Sequence, residues 1–233
     1  MSLLLSTNVP RICKSEFDAE AVAFLEKYYP SALQQPMAVP ILEVARKQMG
    51  LQVVERHLTE DFSILGQMCF TNGVAEIYLK ETDEYKSVKV KHGMMIIDPD
   101  ITKNRGEGSK NNTISHEAFH WHKHRDYHIA KSIAVSKMSS ATIEYDESKQ
   151  SSWSDEDWME WQANGIAPRI LMPPMQFDEM AKRFIEEPIV GTRLDGVWLT
   201  LRRRVIYSLA DFFKVSKQST EIRLSERGFT NLF

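Results

Sequence analysis

The stretch His116-Glu117-Ala118-Phe119-His120 carries the residue types that metal-assisted hydrolysis requires. On a helix, residues four apart lie on one face, so both imidazoles can reach a single ion. Glu117 follows His116 directly, where a carboxylate can polarise a water at that ion. Together these are the minimal apparatus of a zinc peptidase.

A catalytic zinc takes three protein ligands and leaves one position open, so a third ligand must come from elsewhere. Asp126 falls at the last position of a His-Glu-x-x-His-x-x-Gly-x-x-Asp pattern, but Lys123 stands at the glycine position. Without glycine the helix has little reason to turn there. His122, His124 and His128 are near in sequence. His124 lies on the same helix stripe, one further turn or about 6 Å along the axis. Three ligands on one straight helix do not close a tetrahedron easily, so these rings read better as solvated or supporting groups. The remaining source is a carboxylate on a later helix. Glu160 opens Glu160-Trp161-Gln162-Ala163-Asn164, in a stretch whose tryptophans and small residues read as buried. A buried carboxylate needs a partner, and a metal is a good one. Asn164, one turn on, could orient a ligand.

The elements that must position these groups follow from periodicity and turn residues. Apolar Phe17, Ala21, Phe24 and Leu25 predict a helix over residues 15–29, ended by Pro30. A second helix over 41–49 stops at Gly50. Strands are predicted over 51–56, 66–71, 74–79 and 93–98, with Thr71-Asn72-Gly73 as a hairpin-like turn. Residues 98–112, rich in Gly, Asn and Lys, read as a loop, and Thr113 as the N-cap of the histidine helix. The strand over 93–98 is the expected edge for an extended peptide to pair with. Residues 132–157 read as an irregular surface insertion or lid. A helix over 155–171 ends at Met172-Pro173-Pro174, and the tail from about residue 178 is mostly helical.

Composition narrows the class. A net charge of -3 gives no electrostatic reason to expect nucleic acid or an anionic membrane as partner. Cys13 and Cys69 are the only cysteines, too few for a disulfide framework or a thiolate zinc site, and they read as buried small hydrophobes. Leu3-Leu4-Leu5 is followed at once by polar residues, which does not suit an export signal, and no run is long enough to cross a bilayer. A cytoplasmic protein is expected.

Several separated stretches, in order, carry a family resemblance. They are Thr113-Ile114-Ser115-His116-Glu117-Ala118-Phe119-His120, Glu160-Trp161-Gln162-Ala163-Asn164-Gly165-Ile166-Ala167, Leu171-Met172-Pro173, and Leu209-Ala210-Asp211-Phe212-Phe213 with Ile222-Arg223-Leu224 behind it. Over about residues 41–228 the chain resembles the ImmA/IrrE metallopeptidases. The resemblance implies an α+β, zincin-like core in which a small sheet packs on the metal-binding helices, with a helical C-terminal segment. It implies that His116, His120 and Glu160 bind one zinc ion and that Glu117 is the catalytic base. It also implies a protein substrate, a DNA-binding repressor cleaved for regulation. Phe119 stands where the family usually has glycine, and the stretch from His120 to Glu160 is longer than usual. The second departure puts the lid and the choice of substrate in question.

On this reading residues 1–40 form an N-terminal helical arm, 41–178 the peptidase core, and 179–233 the C-terminal helical segment packed on it. Two other readings compete. Residues 197–213 and 216–227 pair as a helix-turn-helix-like hairpin, in which Arg202-Arg203-Arg204 could touch phosphates of DNA. The same apolar positions suit a packed hairpin completing the core. A degenerate peptidase that binds without turnover is the other. The tryptophans Trp153, Trp158 and Trp161 are expected to wall a core.

Overall fold

The computed structural model describes residues 9–131, 135–139, 150, 152–187, 193–194, 197–198 and 201–229. The chain enters through α1 (Phe17–Tyr28) and a short helix α2 (Ile41–Glu43) that runs on as one π-helical turn to Gln48. Five strands follow: β1 (Gln52–Glu55), β2 (Ile64–Cys69), β3 (Gly73–Leu79), β4 (Glu84–Val90) and β5 (Met94–Ile97). Then come α3 (Ile101–Arg105), α4 (Glu107–Phe119), a π-helical turn over His120–His124, and α5 (Arg125–Ala130). After β6 (Val135–Ser139) the chain is mainly helical: α6 (Asp155–Leu171) and α7 (Pro174–Glu186), a small ribbon of β7 (Arg193–Leu194) and β8 (Val197–Trp198), then α8 (Leu201–Phe213) and α9 (Lys217–Glu226).

The main sheet has the order β1-β5-β2-β6. β1 runs parallel to β5, while β2 is antiparallel to both β5 and β6. One face carries Met68, Met95 and Ile97, which join Ile114, Ala118 and Phe119 of α4 in the large core. The other face carries Cys69 and Ile96, which pack with Ala75 and Val90 of the separate β3–β4 hairpin. The same large core takes in Phe17 and Phe24 of α1, Ile166 of α6 and Phe213 of α8. The structure is therefore mixed α+β, a small sheet among many helices.

Several expectations are corrected. Residues 98–112 are not a loop: α4 begins at Glu107, so Thr113 lies inside the helix and its hydroxyl donates back to the Ser109 carbonyl at 3.0 Å. The first turns are polar because they sit at the surface, and Gly108 is there for clearance. A Cβ at that position would come within 2.3 Å of the Val215 backbone. The turn Thr71-Asn72-Gly73 does not close a hairpin; it carries the chain from the main sheet into the β3–β4 pair. Strand β4, absent from the sequence reading, is largely exposed and charged, so it has no apolar alternation to betray it.

Two further corrections bear on substrate binding. β5 is an interior strand, paired on both sides, and cannot offer a free edge. The insertion is not wholly irregular, since residues 135–139 add β6 to the sheet beside β2. Lastly, Cys69 is buried, and burial pushes its thiol up to about 11, but Cys13 is exposed.

Candidate metal centre

Two helices build the site. α4 is buried from Thr113 to Phe119 between the sheet and α6, so the consecutive residues His116 and Glu117 point to different sides of a buried rod. α6 starts at a true cap: the Ser154 hydroxyl accepts from the Asp157 amide while the Asp157 carboxylate accepts from the Ser154 amide. The helix then runs unbroken through Glu160, and the Ser115 hydroxyl donates to the Ala167 carbonyl at 3.1 Å, fixing α4 against it.

The convergence is tight. His116 Nε2 lies 2.9 Å from His120 Nε2, 3.2 Å separates His116 Nε2 from one Glu160 oxygen, and 3.2 Å separates His120 Nε2 from the other. A tetrahedral zinc with ligands at about 2.0–2.1 Å has edges of roughly 3.3 Å between donor atoms. The two ring nitrogens, each with one Glu160 oxygen against it, therefore already stand near the edge length of such a tetrahedron. Both rings are essentially inaccessible, whereas Glu160 retains 23% side-chain exposure, which leaves an approach from solvent.

The electrostatics favour the protonation states a metal demands. Burial holds His116 below its ordinary value, which favours the neutral ring, and the Glu160 carboxylate opposes this. Burial alone would raise Glu160, but the neighbouring His120 and His116 rings outweigh it and hold the carboxyl well below the usual range. Glu117 is the opposite case. It is fully buried, neither oxygen has a partner of full hydrogen-bond geometry although the Met68 backbone comes near, and burial, helped by the Glu160 charge, pushes its pKa well above normal. An unpartnered buried carboxyl is costly, and it marks a functional site with a stated physical cause. On this donor set and this orphaned acid, the residues fit a divalent metal.

The other sequence candidates lie apart from this trio. Asp126 is on the surface, 3.4 Å from the Arg125 guanidinium. The His122 ring packs edge-on against Phe24 and Tyr28, with Nδ1 at 3.3 Å from the tyrosine hydroxyl. His128 stacks flat on Phe70 with centroids 4.0 Å apart. His124 is wholly buried behind His120, with ring nitrogens 3.0 Å apart, in a supporting place. Asn164 is near enough to His116 to favour its charged form, yet His116 Nδ1 has no partner of normal hydrogen-bond geometry. Phe119, at the family's glycine position, is buried in the core edge-on to the His124 ring at 5.5 Å.

A second trio, His57, Asp98 and Asp100, also brings donor atoms together. There the Lys80 ammonium already contacts Asp100 and Asp98 Oδ1 accepts the Asp100 amide at 2.9 Å, while Asp98 Oδ2 is buried without a hydrogen-bond partner, 3.4 Å from His57 Nδ1.

A family model described as the IrrE N-terminal-like domain, of the M78 peptidases, matches residues 91–225. The chain belongs to this family. No curated protein matches the chain. The M78 match covers α4, α6 and the C-terminal helices, so both elements of the trio fall within the family domain. Membership makes the chain a member of a metallopeptidase family, in keeping with the resemblance read from the sequence. No helix among the described residues is long and apolar enough to cross a membrane.

The C-terminal helices are tied to this domain. Arg223 on α9 is buried and donates to Asp18 of α1 at 2.6 Å, while Arg169 of α6 contacts Glu226 at 2.6 Å. Arg202 pairs with Glu221, and Arg204 donates to the Phe184 and Glu187 carbonyls at 3.0 and 2.9 Å. Two arginines of the run are thus engaged within the protein. The tryptophans form a mutual edge-on cluster, and Trp161 also meets Phe17 at 4.6 Å, which is core packing.

Proposed function

We propose that this M78-family chain is a zinc-dependent endopeptidase on a zincin-like core, with His116, His120 and Glu160 holding one ion and Glu117 as the base. The observation that carries the reading is that two imidazole nitrogens 2.9 Å apart each meet one oxygen of the Glu160 carboxylate at 3.2 Å, brought together from separate helical segments. When bound, zinc would polarise the scissile carbonyl and acidify the attacking water. In this reading Glu117 takes that water's proton and returns it to the leaving amine. The solvent-exposed side of Glu160 is the side from which substrate enters.

For substrate we propose a protein, and specifically a DNA-binding repressor whose cleavage is regulatory. That part rests on the family resemblance alone. A DNA-binding role for α8 and α9 is the weaker reading, because Arg202, Arg204 and Arg223 are engaged in internal contacts. The test is cleavage of candidate repressors by the zinc-loaded protein beside its Glu117→Gln variant. Cutting by the parent and none by the variant supports the reading. Equal cutting by both removes Glu117 from the mechanism.

A further inference from the structure

Behind the trio runs a line of hydrogen bonds whose direction is set at its far end. The Pro10 carbonyl can only accept, so the Gln162 amide nitrogen, 2.6 Å away, donates to it. This turns the Gln162 carbonyl oxygen toward His124 Nε2 at 3.0 Å. An amide oxygen can only accept, so His124 Nε2 carries the proton. The His124 ring is wholly buried, and its nitrogens meet only that amide and another ring, so it stays neutral and its Nδ1 is a bare acceptor. His120 Nδ1, 3.0 Å away, must therefore be the donor. With the proton on Nδ1, Nε2, the atom that faces His116 and Glu160, is the nitrogen left to offer a lone pair.

We propose that His124 and Gln162 are positioning residues which, anchored on the Pro10 carbonyl, hold the His120 ring with Nε2 bare and aimed at the metal position. Ligating histidines generally give their second nitrogen to a carboxylate, carbonyl or water. Here another histidine takes that place, and the N-terminal segment becomes part of the site. The π-helical turn over His120–His124 is where this departure from regular helix occurs, and such turns gather at functional positions. The polarity of the line follows from the donor and acceptor types and from the burial of the His124 ring. Its consequence for metal affinity rests on the metal-centre reading above.

The test has two arms. In the metal-free parent, long-range proton–nitrogen NMR should show His124 protonated at Nε2 only and His120 protonated at Nδ1. A proton on His124 Nδ1 overturns the proposal, whether or not zinc ever binds. In the second arm, zinc affinity is measured by chelator competition for the parent, Gln162→Met and Gln162→Glu, with circular dichroism to confirm folding. Gln162→Met keeps the length but removes the acceptor, and should weaken zinc by roughly 10–100-fold. Gln162→Glu, with its buried carboxyl protonated, can still donate to the Pro10 carbonyl and accept from His124, and should stay close to the parent. Equal affinity in all three, or equal loss in both variants, overturns the positioning role. Failure of the parent itself to bind zinc would instead sink the metal-centre reading and leave the ring-proton result to decide the relay.

Discussion

Gly66 on β2 leaves the space that Glu117 fills: a Cβ built on Gly66 would lie 2.9 Å from Glu117 Oε1 and 2.7 Å from Thr113 Cγ2. The sheet thus sets the position of the proposed base by omitting a side chain. Gly66→Ala should push Glu117 from its place while leaving the three donors where they are. We expect a loss of ten-fold or more in kcat, about 1.4 kcal/mol of transition-state stabilisation, with zinc content unchanged. A variant with full turnover would show that Glu117 does not depend on that clearance.

The burial of Glu117 predicts a pH-dependent cost in the metal-free protein. Its folded pKa lies above its unfolded one. Its contribution to stability is therefore best below the unfolded value and is lost as pH rises towards the folded value. Glu117→Gln removes the ionisation, so the metal-free variant should be more stable than the parent at neutral pH. The advantage should shrink as pH falls towards 4. Urea unfolding at several pH values checks this, and a constant difference across that range would contradict it.

Asp18 joins three arginines: Arg223 at 2.6 Å, Arg227 at 3.4 Å and Arg169 at 3.5 Å. Arg223 is almost wholly buried, so removing its carboxylate leaves a charge poorly paired. Asp18 itself is about a third exposed, which discounts the cost to about 2–3 kcal/mol for Asp18→Asn. Unfolding should show that loss with no change in metal content, since the network lies outside the trio. A loss of zinc would mean that the C-terminal helices shape the site more directly than their contacts indicate.

The chemistry was more legible in the sequence than its supports. His116 and His120 announce themselves by helical spacing, and Glu160 by a carboxylate in an apolar helix together with the family resemblance. Spacing could not say which way the Glu160 helix faces; the capped start at Ser154 and the bond from Ser115 to Ala167 decide that in three dimensions. The opening of α4 was hidden because its first turns are solvated and carry a glycine kept for contact with Val215. β4 was hidden because charged residues on an exposed ribbon leave no period-two pattern. The interior place of β5 depends on β1 and β2 flanking it, a long-range pairing that local alternation does not encode. The contacts of His124 were not legible, since its partner Gln162 lies on another helix and the line ends on a backbone carbonyl.

Metal content tests the central claim most directly. The protein reconstituted with zinc, then freed of excess ion, should hold one zinc per chain by elemental analysis, and Glu117→Gln should hold the same. Glu160→Ala should lose most of it under identical handling, because two imidazoles alone leave the site short of a ligand. A parent that retains no zinc, or a Glu160→Ala variant that retains it fully, would contradict the account.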